Sequence, residues 1–105
     1  MAKSFSFWRY ILQQRAWSLI TFGPRKNTKS ITDHIRKELL EIEARPNDLM
    51  EWIDVIQLAI DGAWRTGATA TQITRALEAK FKINEGRRWP DWRTKDPDAP
   101  TEHIR

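Results

Sequence analysis

No cysteine occurs among the 105 residues. Its absence removes a disulfide framework, thiolate-bound zinc, redox dithiols and cysteine nucleophiles together, and it fits a reducing, cytoplasmic setting (the host cytoplasm if the chain is viral). Long apolar runs are missing as well. Arg, Gln, Glu or Asp interrupts each hydrophobic stretch well before the roughly 18 residues a bilayer demands, so no membrane partner is expected. Residues 1–32 hold no acid, only Lys3, Arg9, Arg15, Arg25, Lys26 and Lys29. Their charge resembles that of a targeting segment, but Gln13, Gln14 and Arg15 break the apolar centre such a segment needs. The stretch reads as a basic amphipathic helix of the mature protein. Internal repeats, low-complexity segments and alternating β-branched runs are also absent.

The chain therefore reads as one small all-α domain, residues 1–105, with an extended tail from about residue 93. A chain this short buries roughly two-thirds of the surface its unfolded form exposes. Self-association would thicken that thin core. The net charge of +4 hides a segregation: residues 1–32 sum to +6, 33–61 to −5, 62–95 to +5 and 96–105 to −2. Either the basic arms neutralise the acidic middle, or all three surround something charged.

Phe5, Trp8, Leu12, Ala16 and Leu19 recur at steps of three and four, which predicts a first helix over residues 5–20 that stops at Phe22-Gly23-Pro24. Ser30 or Thr32 can cap a second, with Ile31, Ile35, Leu39 and Ile42 as its buried stripe and Pro46 as its end. Asn47 or Asp48 caps a third, running to about Arg65 with Gly67 as a left-handed stop. Thr69 or Thr71 opens a fourth that ends at Gly86, and Pro90, Pro97 and Pro100 leave the tail extended or loose. Trp8, Trp52 and Trp64 take packing positions.

Glu38 and Glu41 share a helix face with His34, beside the Ile/Leu stripe. On the third helix Glu51, Asp54 and Asp61 fall on one side, in a helix that is apolar nearly all round. No Lys or Arg lies between Arg45 and Arg65. Carboxylates crowded against a core repel one another and lose hydration, so something positive must compensate. Mg2+ or Mn2+ suits two such pairs on antiparallel helices, because hard ions take oxygen ligands. Each residue has a plainer role open to it. Glu51 can complete a capping box with Asp48, Glu38 and Glu41 can pair with Arg36, Lys37 or Arg45, and Asp61 can bond Arg65. His34 can be a second-shell donor, a base, or an ordinary helix residue. Lys80, Lys82, Asn84, Arg87 and Arg88 offer donors to a triphosphate, or simply complement a helix end. Trp17, beside Gln14 and Ser18, lies off the main stripe, where a ring and polar groups could hold a nucleobase.

The Glu38-x-x-Glu41 and Glu51-x-x-Asp54 pairs, followed by Lys80, Asn84 and Arg87, resemble the MazG-like all-α nucleoside triphosphate pyrophosphohydrolases. Trp17-Ser18, Thr21-Phe22-Gly23-Pro24, Asp61-Gly62-Ala63-Trp64-Arg65 and Trp89-Pro90-Asp91-Trp92-Arg93 resemble their short dATP/dGTP diphosphohydrolase branch, the MazZ-type proteins of bacteriophages. The resemblance covers residues 13–105. It implies a four-helix MazG-like bundle completed by oligomerisation, as a dimer or tetramer. It also implies hydrolysis of a purine deoxynucleoside triphosphate to its monophosphate and pyrophosphate. Glu38, Glu41, Glu51 and Asp54 would hold Mg2+ or Mn2+, and Lys80, Asn84 and Arg87 would meet the phosphates or sugar. Lys37 stands where many MazG proteins carry a further Glu, and the nine residues between the two acidic pairs are a short gap. In phages that replace adenine with 2-aminoadenine, such an enzyme would remove dATP and supply dGMP.

Among the carboxylates Glu41 is the first choice as acceptor of the attacking water's proton, with Glu38 beside it, and Asp61 and His34 are second-shell choices. The competing expectation is a non-enzymatic helical module that binds nucleic acid through the basic, Trp- and Arg-rich residues 62–95; it ranks below the hydrolase. A purely structural oligomer held by internal salt bridges ranks third.

Overall fold

The computed structural model describes residues 4–105, so Lys3 lies outside the described residues. Four helices form in the expected order: α1 (Phe7–Phe22), α2 (Thr28–Ala44), α3 (Leu49–Arg65) and α4 (Ala70–Gly86), followed by a 3₁₀ turn at Trp92–Thr94. The all-α expectation holds. No described helix is long and apolar enough to cross a membrane.

The helix ends follow local chemistry. Ser6 caps α1, its hydroxyl accepting from the Arg9 amide at 3.2 Å, which puts the start two residues later than predicted. At Gly23 the backbone turns to φ 83°, a conformation that residues with a side chain rarely adopt. α2 departs from expectation. Its cap is neither Ser30 nor Thr32 but Asn27, at φ 52° with no side-chain capping bond. Asn tolerates the left-handed region, and the Ile31 amide donates to the Asn27 carbonyl at 2.9 Å, starting the helix a turn earlier. Thr32 then lies inside the helix and donates to the Lys29 carbonyl. Asp48 caps α3 through the Met50 amide, and Gly67 takes φ 101° after its end. Thr69 opens α4 in a reciprocal box: its hydroxyl accepts from the Gln72 amide, and the Gln72 side chain accepts from the Thr69 amide.

The residues group into two units, Met1–Thr74 and Arg75–Arg105. In the first, α3 packs against both α1 and α2. Ile11, Ile60, Trp64 and Ala70 form the core, with Phe7, Tyr10, Leu19 and Ile73 against it. The inward side of α1 is thus Phe7, Ile11, Gln14 and Ser18, not the Phe5–Trp8–Leu12 side; Phe5 is 76% exposed. Both sides have helical spacing, and the buried one carries polar groups because partners on α3 satisfy them. On α2, Ile31 and Ile42 are buried while Leu39 is half-exposed. Trp64 packs as expected, whereas Trp8 and Trp52 are half-exposed and held by their indole N–H groups, to Thr71 and to the Pro46 carbonyl.

In the second unit the chain leaves α4, and the Trp89 indole donates to the Asn84 carbonyl at 2.7 Å. It returns so that the Ile104 amide donates to the Arg88 carbonyl at 2.7 Å, with Trp89 and His103 edge to face. Three prolines in the sequence carry no signal for this return.

Candidate functional site

α2 and α3 pack together, and the acidic sides of both meet where they do. Glu38 and Glu41 come from α2 and Glu51 from the first turn of α3. One carboxylate oxygen from each lies within 4.8 Å of the other two. Glu38 and Glu51 are buried and Glu41 half-buried. Asp54, one turn on from Glu51, is exposed and does not join the three. It is still close enough for its charge to raise the pKa of Glu38.

The cluster is short of positive charge. Oε1 of Glu38 meets His34 Nε2 at 3.2 Å, and Oε1 of Glu51 meets Arg45 Nη2 at 3.3 Å. The imidazole and the guanidinium are both more than half exposed. Oε2 of Glu38 and Oε2 of Glu51 are buried without any hydrogen-bond partner. The proton that Glu38, once protonated, can share with Glu41 is the largest cause that raises its pKa, followed by burial and by the charges of Glu41 and Asp54; His34 opposes them. Burial comes first for Glu51, then the hydrogen bond and charge of Glu41, with Arg45 pulling the other way. None of the three local pairings open to Glu38 and Glu41, with Arg36, Lys37 or Arg45, forms among the described residues. Arg36 goes to Asp33 at 2.6 Å, and Arg45 goes to Glu51 rather than to α2. The capping box through Glu51 is absent too, since the Asp48 amide donates to the Arg45 carbonyl.

These donors fit a hard divalent cation. Two oxygens on one octahedral ion with bonds of about 2.1 Å lie about 3 Å apart in cis and about 4 Å in trans. Three oxygens within 4.8 Å need only a small inward movement. Three carboxylates with one arginine leave two negative charges, the complement of one such ion, and the two orphaned oxygens are the acceptors it would satisfy.

Beside the cluster is a cavity of about 370 Å³ lined by Gln14, Trp17, Phe22, His34, Glu38, Asp54, Gln57, Leu58 and Asp61. Five residues singled out from sequence for different reasons, Gln14, Trp17, His34, Asp54 and Asp61, therefore share one wall with Glu38. Trp17 and Phe22 meet edge to face at 5.5 Å and form its aromatic corner. Gln14 Nε2 donates to the Gln57 main-chain carbonyl at 2.7 Å. Because a carbonyl can only accept, this contact fixes the direction of the amide. Gln14 Oε1 is left buried and unpartnered.

Asp61 is not part of the carboxylate cluster. Its oxygens accept from Ser18 Oγ, Trp64 Nε1 at 3.0 Å and Arg65 Nε at 3.0 Å, so the Arg65 pairing considered from sequence forms. Lys80, Asn84 and Arg87 belong to the second unit, where Arg87 Nη1 donates to Asn84 Oδ1 at 3.1 Å and Lys80 is exposed. Sequence reasoning missed Phe22, Gln57 and Leu58 as lining, and Arg45 as the neighbour of Glu51. Of these only Phe22 had a signal, its place five residues after Trp17, just before Gly23.

Comparison with known proteins identifies a family. A family model described as dATP/dGTP pyrophosphohydrolase matches residues 10–105. The Eaa protein of Salmonella phage P22 is 39% identical over 54 residues, which is 51% of this chain and 17% of that protein. The chain thus matches only a small part of that phage protein. No solved structure matches it.

Proposed function

The chain belongs to the dATP/dGTP pyrophosphohydrolase family, and on that premise we propose that it hydrolyses dATP and dGTP to the deoxynucleoside monophosphate and pyrophosphate with Mg2+ or Mn2+. One observation carries the metal-dependent part: Glu38 and Glu51, buried beside the half-buried Glu41, each keep a carboxylate oxygen that nothing among the described residues satisfies.

In this reading Glu38, Glu41, Glu51 and Asp54 would hold the cation. When bound, the ion polarises the α-phosphate and lowers the pKa of the attacking water. Glu41, between the two buried carboxylates, accepts that water's proton. His34 holds Glu38 in place from the exposed side. Trp17 and Phe22 take the base against the aromatic corner, and the fixed Gln14 oxygen accepts from an N–H on its edge. Both adenine and guanine carry such a donor. Lys80, Asn84 and Arg87 supply donors to phosphate and sugar.

Residues 1–105 act as one catalytic domain that works as a homo-oligomer. In support, Ile20 is 88% exposed, Leu40 67% and Phe81 65%, more apolar surface than a lone small domain retains comfortably. We place this activity in the remodelling of a nucleotide pool during phage infection; the similarity to a phage protein supports the phage setting alone.

The test is a panel of deoxynucleoside triphosphates incubated with Mn2+, with both products identified. Pyrophosphate and monophosphate should form from dATP and dGTP, vanish with chelator, and be lost in Glu38→Gln, Glu51→Gln and Asp54→Asn variants that remain helical. Pyrophosphate release that survives chelation, or full activity in all three variants, would refute the assignment. Binding to nucleic acid that collapses between roughly 50 and 200 mM salt, with no hydrolysis, would instead support a non-enzymatic module.

A further inference from the structure

Resting on that nucleotide site, we propose that Arg65 is a positioning residue: it sets the Trp17–Phe22 corner against the cavity by clamping the end of α1 and the connection after it to α3. The Arg65 side chain is 1% exposed. Its Nε donates to Asp61 Oδ2 at 3.0 Å, its Nη2 to Ser18 Oγ at 2.9 Å, and its Nη1 to the carbonyls of Gly23, at 2.8 Å, and Arg25. The guanidinium plane lies over the Trp64 ring, 4.3 Å from its centre.

A buried ion pair is a poor device for stability alone, since well-packed apolar residues do as well or better. What a guanidinium adds is a rigid planar fork that joins several acceptors at fixed angles. Two of its four acceptors here, Ser18 and Gly23, each directly follow a ring of the corner, Trp17 and Phe22. Both rings are more than half exposed, so burial does not hold them. Their neighbours in the chain do. Asp61, the anchor on α3, lines the same cavity. Arg65 has no hydrogen bond to Glu38, Glu41 or Glu51 among the described residues, so the clamp acts on where the base sits and not on the carboxylates.

The experiment uses the full chain with Mn2+, in Arg65→Lys, which keeps the charge but loses the fork, and in Ser18→Ala, a milder cut through the same network. For dATP and dGTP, KM should rise about tenfold or more, the order expected when a stacked base loses its aromatic platform. Meanwhile kcat and the Mn2+ midpoint should stay within about twofold, as expected for a change confined to binding. With 2-deoxyribose 5-triphosphate, which has no base, the variants should match the parent. An unchanged KM in both folded variants would overturn the proposal, and so would an equal loss with the baseless substrate or a fall in Mn2+ binding. If Arg65→Lys does not fold, Ser18→Ala decides by the same criteria. A parent protein that releases no pyrophosphate from any deoxynucleoside triphosphate would refute the nucleotide reading itself, a result distinct from those of the variants.

Discussion

Adding Mn2+ to metal-free protein should stabilise it strongly, and the increment should grow with pH. A ligand that binds only the folded state, present at 100 times its Kd, contributes about 2.7 kcal/mol. For a domain of this length each kcal/mol moves Tm by about 4–8 °C, so the rise should be about 10–20 °C. The sign of the pH dependence follows from the carboxylates. Glu38 and Glu51 have pKa values raised above their ordinary 4.5, so between 4.5 and those raised values the folded protein binds more protons than the unfolded chain. Without metal, stability therefore falls as pH rises through that window, and the penalty is absent below it. Metal must displace the protons the cluster holds, so its stabilising effect is smallest in acid and largest once the carboxylates are ionised. The assay is thermal unfolding by circular dichroism at fixed protein concentration, across pH, with Mn2+ or with chelator. Glu38→Gln should unfold no lower than the parent without metal and should lose the Mn2+ increment. A Tm indifferent to Mn2+, or a full increment in Glu38→Gln, would refute the claim that these groups need a cation.

Arg45→Ala should bind Mn2+ more tightly, by up to about fivefold given the modest worth of an exposed pair, because the arginine competes for Glu51; Mn2+ titration followed by calorimetry measures this. Trp17→Ala should raise KM for dATP by tenfold or more, from the roughly 1–3 kcal/mol that a stacked base loses with its aromatic platform, with little change in kcat. Ile11→Ala, which empties a fully buried position of the core, should cost about 2–5 kcal/mol in urea unfolding while leaving Mn2+ affinity unchanged in the folded protein.

The helices were legible because their boundaries are written in local chemistry: Gly23-Pro24, Pro46, Asp48 and Gly67 mark ends through backbone preferences that need no tertiary context. α2 was placed a turn late because a left-handed Asn start leaves no hydroxyl signature. The choice of buried side on α1 was not legible. Two faces share the helical period, and the polar one goes inward only because Asp61 and the Gln57 carbonyl await Ser18 and Gln14. The acidic triad could be read from spacing and from the lack of nearby lysine or arginine. The exposure of Asp54 could not, since it depends on how far α3 is rotated against α2. Nor could Arg45 be assigned to Glu51, because a chain reversal at Pro46 folds it back onto the next helix.

The bond from Gln14 to the Gln57 carbonyl has a consequence for how such a protein can diverge. Since the acceptor is main chain, no replacement at position 57 that keeps α3 intact can turn the amide around. Of this bonded pair, position 14 decides which polarity is presented to a guest molecule. A lineage that changes its preferred nucleotide should therefore record the event there, while the Gln57 side chain, which lines the same cavity and donates to the Tyr10 hydroxyl at 2.8 Å, answers to a separate constraint.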